Sequence, residues 1–438
     1  MNPLAEQLNQ EIAQLNPQLL KMLSGVGRQL FFPKGILSQS AEAKEKAYRI
    51  NATIGIAKQQ GGIMGFDTVM NSIDGIPASE ALTYAPSFGI PALRQQWREQ
   101  LYVKNPSLAD KKISLPVVTC GVTHGVSIFS DIWLDPDDVV ILPDLMWGNY
   151  NMIFNVRKGV RLRRYDLFDA KGRYNLSSFA KAIEEETRQN KKIAVLLNFP
   201  HNPTGYTLSE EEADAVVRLL VETAEAGTRV IAVTDDAYFG LFYEARSLKE
   251  SLFARLAGQH PNLLAIKLDG GTKEHYIWGL RIGFVTYAAG CAGNPEPLYA
   301  ALEKKTAGCV RGNISNASHL SQSIMLKSLQ DPRNQAEKDE KFAILKARAL
   351  KVKQVLENPK YDAAWDPYPF NSGYFMCLKL KTVEAEPLRV HLLERYGVGL
   401  ISIGKEALRI AFSCIEEDQV KELFDTILQG VLDLEAAS

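Results

Sequence analysis

The feature that most constrains the fold is a regular alternation between residues 116 and 288. Short apolar runs of strand length recur there: PVVTC (116–120), DVVILP (138–143), VRLRRYDL (160–167), KIAVLLNF (192–199), RVIAVTD (229–235), NLLAIKL (262–268) and RIGFVTYA (281–288). Helical patterns, such as 177–188 and 209–226, separate most of them. This alternation indicates βαβ units and a mostly parallel sheet covered on both faces. Ligands of such sheets bind beyond the carboxyl ends of the strands, so the residues that follow each strand are the first candidates for a site.

The regions before and after this alternation have other sequence patterns. Residues 5–24 have the pattern of an amphipathic helix, and a polar segment at 39–46 follows, so the first ~45 residues resemble an arm outside the main core. After about residue 315 comes a long helical stretch, 318–356, then the strand-like runs YFMCLKL (374–380) and ALRIAFS (407–413) and a closing helix at 417–434. We expect residues 1–50 to form an N-terminal arm or part of the small domain, residues 51–315 to form a large α/β domain, and residues 316–438 to form a smaller α+β domain.

Composition excludes several classes of protein. The net charge of −1 favours neither nucleic acid nor an anionic membrane surface. No run of 18 apolar residues predicts a membrane span, and the N-terminus lacks the basic and apolar regions of a secretory signal. The five cysteines form no CxxC pair, which argues against a structural metal site and against a disulfide framework. We therefore expect a cytoplasmic protein without a metal.

The first strand ends carry weak signals for a site. GVTHG (121–125) follows the first run and opens a helix, whose free N–H groups suit a phosphate, although a plain turn between strand and helix is the commoner explanation. GVTHG is neither a P-loop nor GxGxxG, so it supports neither ATP nor NAD. Trp147 follows the second run and is either a core aromatic or a face on which a flat ring stacks.

Stronger signals follow the later strands. PHNPTG (200–205) is a rigid turn that holds Asn202 in one direction, whereas His201 reads as structural. Asp235 ends a buried strand and needs a cationic or protonated partner, with a helix N-cap as the competing interpretation of this acidic pair. Lys273 follows two glycines and can form an imine if its surroundings lower its pKa.

No single strand end is decisive, but the set is. Five strand ends supply a phosphate cradle, a stacking ring, an amide, a carboxylate and an amine. Pyridoxal phosphate needs a Schiff-base lysine, an acidic partner for its ring nitrogen and a phosphate site. The sequence thus predicts this cofactor.

The same residues resemble a known family. YAPSFG (84–89), PHNPTG (200–205), DDAY (235–238), TKEHYIWGLRIG (272–283) and ALRIAF (407–412) match, in register, the class I/II aminotransferases of fold type I, from about residue 50 to about 415. The resemblance implies a three-layer α/β/α large domain with a mostly parallel seven-stranded sheet, plus a smaller α+β domain. It also implies a homodimer with active sites shared at the interface, acting on small amino acid and 2-oxo acid substrates.

The resemblance assigns the reacting groups. Lys273 matches the lysine that forms the Schiff base and then shuttles the substrate proton. Asp235 matches the carboxylate that keeps the ring nitrogen protonated, and Trp147 matches the stacked aromatic. Asn202 and Tyr238 match the pair that binds the phenolic oxygen of the cofactor.

It also assigns the phosphate site and one departure from it. Val122, Thr123, Thr272 and Arg281 match phosphate-site positions, with Arg281 eight residues after the lysine as in the family. Tyr84 matches a tyrosine that reaches the phosphate of the neighbouring subunit. The family often has a hydroxyl three residues before the lysine. Here that position is Gly270, and His124 is one candidate to replace the missing donor.

Substrate contacts follow by the same comparison. Arg409 matches the arginine that binds the α-carboxylate in a bidentate pair, and Asn202 lies beside it in the family. Gly55 falls near the glycine whose loop closes over the substrate. Arg311 stands where aspartate-type enzymes place an arginine that crosses to the partner and binds a distal carboxylate, so dicarboxylates such as aspartate, glutamate and 2-oxoglutarate are favoured, with aromatic substrates as the alternative.

Two other functions stay open from the sequence. A fold type I lyase or racemase would keep the same cofactor site and change the reaction. A ligand-sensing regulator with an aminotransferase-like domain would need an N-terminal DNA-binding domain. The ~45 residues before the matching region are neither basic nor numerous enough for one, and retention of Lys273, Asp235 and Arg409 favours catalysis.

Overall fold

Helices open the chain. The computed structural model describes residues 1–32 and 35–437. The helix predicted over 5–24 is in fact two helices, because Asn16 accepts N–H groups of the second one and Pro17 occupies its first position. The opening helices are α1 (Pro3–Leu15), α2 (Pro17–Met22), α3 (Gly25–Gln29) and α4 (Ile36–Lys46). The polar segment at 39–46 is therefore helical.

Short elements connect these helices to the main sheet. They are β1 (Ile50–Asn51), β2 (Lys58–Gln59), β3 (Gly62–Ile63), α5 (Asp67–Met70), α6 (Ala78–Ala81) and α7 (Pro91–Lys104). The longest of them, α7, packs its apolar face, including Trp97 and Leu101, into the core.

The predicted sheet is confirmed. Each of the seven apolar runs forms a strand within two residues of its expected bounds: β4 (Val117–Cys120), β5 (Val139–Pro143), β6 (Arg161–Tyr165), β7 (Lys192–Leu197), β8 (Arg229–Asp235), β9 (Leu263–Asp269) and β10 (Ile282–Ala289). The order across the sheet is β4-β10-β9-β8-β7-β5-β6. All pairs are parallel except those of β10, which runs antiparallel to both of its neighbours. The carboxyl ends of β5, β7, β8 and β9 thus meet at one edge.

Helices follow most of these strands. They are α8 (Gly121–Trp133), α9 (Leu176–Thr187), α10 (Glu210–Glu225), α11 (Leu252–Leu256), α12 (Gly271–Glu274) and α13 (Glu296–Ile314), with a π-helical segment at Asn151–Val156. Ser209 and Glu212, in the sequence SEEE, form a capping box at the start of α10. Single 3₁₀ turns lie at Pro106–Leu108, Trp278–Leu280, Pro359–Tyr361 and Phe412–Cys414.

The C-terminal part has its own sheet. Its elements are α14 (His319–Gln330), α15 (Asn334–Leu356), β11 (Trp365–Pro367), β12 (Phe375–Leu380), α16 (Ala385–Tyr396), β13 (Val398–Gly399), β14 (Ile401–Ile403), β15 (Ala407–Ala411) and α17 (Gln419–Ala436). The long helix predicted over 318–356 is broken into α14 and α15, with Pro332 in the break. The sheet order is β11-β12-β15-β14, all antiparallel, and β1 pairs in parallel with β13.

This architecture fits the predicted α/β fold with a smaller α+β part, while the exact domain boundaries stay a prediction. Within the N-terminal segment, α4 packs against β13, β14 and α16 of the C-terminal part. In the part of the chain that the structure describes, no helix has the length and apolar character needed to cross a membrane.

Candidate active site

A cavity of about 310 Å³ opens at the carboxyl edge of the seven-stranded sheet, where the C-terminal part covers it. Eleven of the predicted site residues line it: Gly55, Val122, Thr123, Trp147, Asn202, Asp235, Tyr238, Thr272, Lys273, Arg281 and Arg409. They come from elements separated by up to 354 positions (Gly55 to Arg409), so the fold brings together what the sequence disperses.

Lys273 supplies an amine to this cavity. It lies on α12, the single turn that follows β9, and its ammonium group is 4.8 Å from the centre of the Tyr238 ring. Burial lowers the pKa of Lys273 from the usual 10.5 to about 8, the Asp235 carboxylate opposes this shift, and the Arg281 guanidinium adds to it. The amine is therefore much closer to its unprotonated, nucleophilic form at neutral pH than an exposed lysine.

Asp235 supplies a buried carboxylate at the end of β8. It is 2% exposed, and it accepts hydrogen bonds from the Tyr150 hydroxyl at 2.6 Å and from the Ala237 N–H at 3.1 Å. Burial raises the pKa of Asp235, and the hydrogen bond from Tyr150 limits that rise. A carboxylate held this way can receive a protonated ring nitrogen. No helix starts at this point, so the N-cap interpretation of the acidic pair is wrong.

The N-terminus of α8 and Arg281 form an anion-binding end of the cavity. Gly121 has φ +76°, and a Cβ on it would lie 2.5 Å from Nη2 of Arg281, so the guanidinium packs directly against the turn. Val122 and Thr123 line the cavity in the first turn of α8. Backbone N–H groups at a helix start together with an arginine suit a phosphate.

The donor missing at Gly270 has a structural reason. A Cβ there would lie 2.4 Å from the carbonyl oxygen of Ile282 on the neighbouring strand, so a side chain would require that backbone to shift. Thr272 lines the cavity, and its hydroxyl is buried with no hydrogen-bond partner among the described residues, so it is an available donor. His124, the other candidate, does not line the cavity, and its Nδ1 accepts the N–H of Cys120.

Arg409 presents a guanidinium of fixed direction to the same cavity. It lies on β15 and is 1% exposed. Its Nη2 donates to the carbonyl of Thr53 at 2.7 Å, its Nη1 donates to Oδ1 of Asn202 at 3.2 Å, and the guanidinium carbon lies 4.2 Å from the centre of the Phe375 ring. Its Nε is buried and has no partner in residues 1–32 and 35–437. This geometry leaves a donor for a substrate carboxylate.

Two predicted residues lie outside this cavity. Tyr84 is 87% exposed, and Arg311 is exposed on α13, where its side chain donates to Ser315 at 3.4 Å. Their assignment to the site of a second subunit stays a prediction. His201 is structural as expected, because its ring nitrogens bond Thr204 and the carbonyl of Leu145 and burial lowers its pKa to about 3.

Some lining residues were not predicted: Ser40, Ile54, Ile56, Tyr150, Asn198, Ala237, Trp278 and Phe375. Asn198 directly follows β7, and its side chain donates to the backbone carbonyl of Asp235 at 2.8 Å, so the strand-end argument could have found it. Ser40 comes from α4, and no local signal links it to the sheet.

Comparison with known proteins agrees with this geometry. The sequence profile of the family "Aminotransferase class I and II" matches residues 73–427. Aspartate aminotransferase of Bacillus sp. (strain YM-2) is 25% identical over 308 residues, covering 70% of this chain and 71% of the relative. The probable N-acetyl-LL-diaminopimelate aminotransferase of Bacillus subtilis (strain 168) is 25% identical over 362 residues, covering 80% and 82%.

Solved structures share the fold. A crystal structure of an aminotransferase from Anaerococcus prevotii DSM 20548 superposes with a TM-score of 0.80 at 25% identity, covering 91% of this chain and 96% of that one. A Thermus thermophilus aspartate aminotransferase mutant, at 18% identity, has a TM-score of 0.72 over 93% and 99% of the two chains.

The cofactor of this family also fits the donor set of the cavity. Its aldehyde, ring nitrogen and phosphate have counterparts in Lys273, Asp235 and the anion-binding end with the unpartnered Thr272 hydroxyl. The family profile covers most of the chain, and the three functional groups of the family's cofactor have counterparts in the cavity. The chain therefore belongs to the class I and II aminotransferases and is a pyridoxal-phosphate-dependent transaminase.

Proposed function

We propose that the enzyme moves the amino group of an L-amino acid to a 2-oxo acid in two half-reactions of a ping-pong mechanism. One observation carries this proposal: the Lys273 amine shares one cavity with a buried carboxylate at Asp235 and a fixed guanidinium at Arg409. The bound cofactor supplies an aldehyde for the amine and a ring that withdraws electrons from the substrate Cα.

The side chains divide the remaining work. Arg409 binds the α-carboxylate and so orients the Cα–H bond toward Lys273. Lys273 would remove the Cα proton and deliver it, within the same half-reaction, to the cofactor carbon that had been the aldehyde, a task suited to an amine whose pKa is about 8. Asp235 holds the proton on the ring nitrogen, while Asn202 and Tyr238 bind the phenolic oxygen and Trp147 stacks on the ring. Val122, Thr123, Thr272 and Arg281 hold the phosphate.

The substrates we propose are dicarboxylic amino and 2-oxo acids, or aromatic ones. Two relatives named above are aspartate aminotransferases. On its substrate side the cavity is lined by Ile54, Ile56 and Phe375, which suit an apolar or aromatic side chain. A distal carboxylate would then be bound by Arg311 of a second copy, so the dicarboxylate proposal also requires a homodimer, with Tyr84 reaching the phosphate across the interface.

The half-reaction provides the test. An amino donor added without a 2-oxo acid should release one equivalent of 2-oxo product per subunit and then stop, and a 2-oxo acid should restart turnover. The matched variant Lys273→Ala should show neither step, because it lacks the amine that moves the proton. Continuous release of ammonia or pyruvate from the donor alone would instead assign a lyase, and failure across a broad donor and acceptor panel would refute the transaminase proposal.

A further inference from the structure

The helix that carries Lys273 is too short to be stable on its own. Helix α12 has four residues, Gly271–Glu274, and follows Gly270. A single turn closes too few hydrogen bonds to be stable alone, and two glycines at its start loosen the backbone further. The position of the Lys273 amine therefore depends on contacts from outside the turn. One of them is the hydroxyl of Tyr374, which donates to the carbonyl of Lys273 at 3.0 Å.

The other contact is ionic and comes from the next residue. Glu274 is 4% exposed, and its carboxylate is paired with Lys104 at 2.6 Å and with Lys338. Burial alone would raise the pKa of Glu274, but the two ammonium groups outweigh it and hold the pKa well below its usual range. Lys104 ends α7 and Lys338 lies near the start of α15, so one carboxylate ties the turn that carries Lys273 to two separate helices.

The same arrangement recurs beside Asp235. The next residue, Asp236, pairs with the fully buried Lys267, whose ammonium group is also 3.5 Å from the carboxylate of Asp269. The indole N–H of Trp97 donates to Asp269 at 3.2 Å, and the ammonium group of Lys104 lies 4.9 Å from the centre of the Trp97 ring. The two groups of ions thus form one cluster of three lysines and three carboxylates, in which Lys267 and the carboxylates are buried while the side chains of Lys104 and Lys338 are 14% and 20% exposed.

Such a cluster is poorly explained as a source of stability. Moving charges out of water costs several kcal/mol per ion, and apolar residues of similar volume are often as stabilising as a buried ion pair. Paired ions fix the orientation of the groups that they join, whereas apolar packing is not directional. Direction matters most at the turn carrying Lys273, since a displacement of about 1 Å in a reacting group can reduce the rate about 10²-fold.

We propose that Glu274 is a positioning residue for Lys273: its carboxylate, held by Lys104 and Lys338, fixes the single turn α12 so that the Lys273 amine points into the cavity. The proposal rests on the transaminase function, in which Lys273 is the group that moves the proton.

The first test is Glu274→Gln, which keeps the shape of the side chain and removes its charge. With saturating cofactor we expect kcat to fall by about tenfold or more, whereas the KM for the amino donor changes less than about twofold because Arg409 is untouched. The visible circular dichroism band of the bound cofactor should weaken as well, since it reports how rigidly Lys273 holds the ring. The matched control is Glu303→Gln, which breaks another largely buried pair, with Arg94 at 2.8 Å. It should lose stability while keeping kcat and the dichroism band.

A second variant avoids leaving a charge unpaired. Lys338→Met leaves Glu274 paired with Lys104, so the protein should fold normally, yet the turn is then held from one side only. We expect a several-fold loss of kcat and a weaker dichroism band. The control Lys353→Met lies on the same helix and removes a surface pair with Glu244, and it should change neither.

Wild-type kcat and wild-type dichroism in Lys338→Met would overturn the proposal, whether or not Glu274→Gln folds. If no donor and acceptor pair gave turnover even in the wild type, the proposed function would fail, but the dichroism comparison would still decide whether Glu274 positions Lys273.

Discussion

Replacing Gly270 with serine tests why the hydroxyl common in this family is missing. The glycine has an extended backbone with φ 168°, so a side chain is not excluded by torsion angles. It is excluded by space: a Cβ would lie 2.4 Å from the Ile282 carbonyl oxygen and 2.9 Å from Cα of Gly283, both backbone atoms of β10. Real Cβ contacts stay above 3.0 Å, so the two strands must separate by at least about 0.6 Å at their pairing.

We expect Gly270→Ser to lower the free energy of unfolding by about 2–3 kcal/mol, the upper part of the usual range for overpacking, because backbone rather than a flexible side chain must move. Urea unfolding of the cofactor-free protein measures this loss as a lower midpoint with an unchanged slope. Fluorescence titration should show no gain in affinity for the cofactor, although the new hydroxyl stands where relatives have a phosphate donor.

The control is Gly308→Ser on α13, where a Cβ meets no atom within 4 Å. An exposed helical glycine replaced by serine should raise the free energy of unfolding by roughly 0.5 kcal/mol. The reasoning would be refuted if Gly270→Ser were as stable as the wild type, or if it bound the cofactor more tightly.

Three further predictions follow from the site. Arg409→Ala should raise the KM for every amino acid substrate by ~10-fold or more, because a charge-assisted pair is lost. Arg311→Ala should raise the KM only for dicarboxylates. Equal effects of Arg311→Ala on acidic and aromatic donors in steady-state assays would show that Arg311 does not determine substrate specificity. Tyr150→Phe removes the 2.6 Å hydrogen bond to Asp235 and should weaken cofactor binding by about 5- to 10-fold in an equilibrium titration, and unchanged binding would contradict it. In cofactor-free protein the folded-state pKa of Lys273, about 8, lies below the usual 10.5, so the unfolded chain binds more protons and stability rises with pH between these values. The rise in stability from pH 8 to 9.5 should be roughly 1.5 kcal/mol smaller in Lys273→Met, as measured by urea unfolding at each pH, and equal slopes would refute the lowered pKa.

The sheet could be predicted from sequence because its strands are buried on both faces. Such strands are continuous apolar runs, and β5 and β8 are buried along almost their whole length. The predicted helix bounds are wrong at two prolines: Pro17 starts a new helix, and Pro332 separates two others.

The site was predictable for a related reason. The carboxyl ends of parallel strands lie at one edge of the sheet, so Asp235 at the end of β8 and Lys273 just after β9 were expected to lie close together. Ser40 and Phe375 enter the cavity from elements whose place against the sheet depends on tertiary packing, and no local pattern reports that. The ion pairs of Glu274 were missed because its partners, Lys104 and Lys338, are distant in sequence and look like ordinary helix-surface lysines.

The place of β10 in the sheet has a consequence for folding. It is the last of the seven strands in the chain, yet it inserts between β4 and β9, with Ile282 opposite Cys120. The proposed phosphate site includes the residues just after Cys120 and also Arg281, just before Ile282, so this pairing brings together two of its parts that lie about 160 positions apart in the chain. Thr272 joins them from α12, between β9 and β10. A folding intermediate that lacks β10 has no phosphate site. The cofactor can therefore bind, and stabilise the protein, only after the least local strand pairing of the sheet has formed.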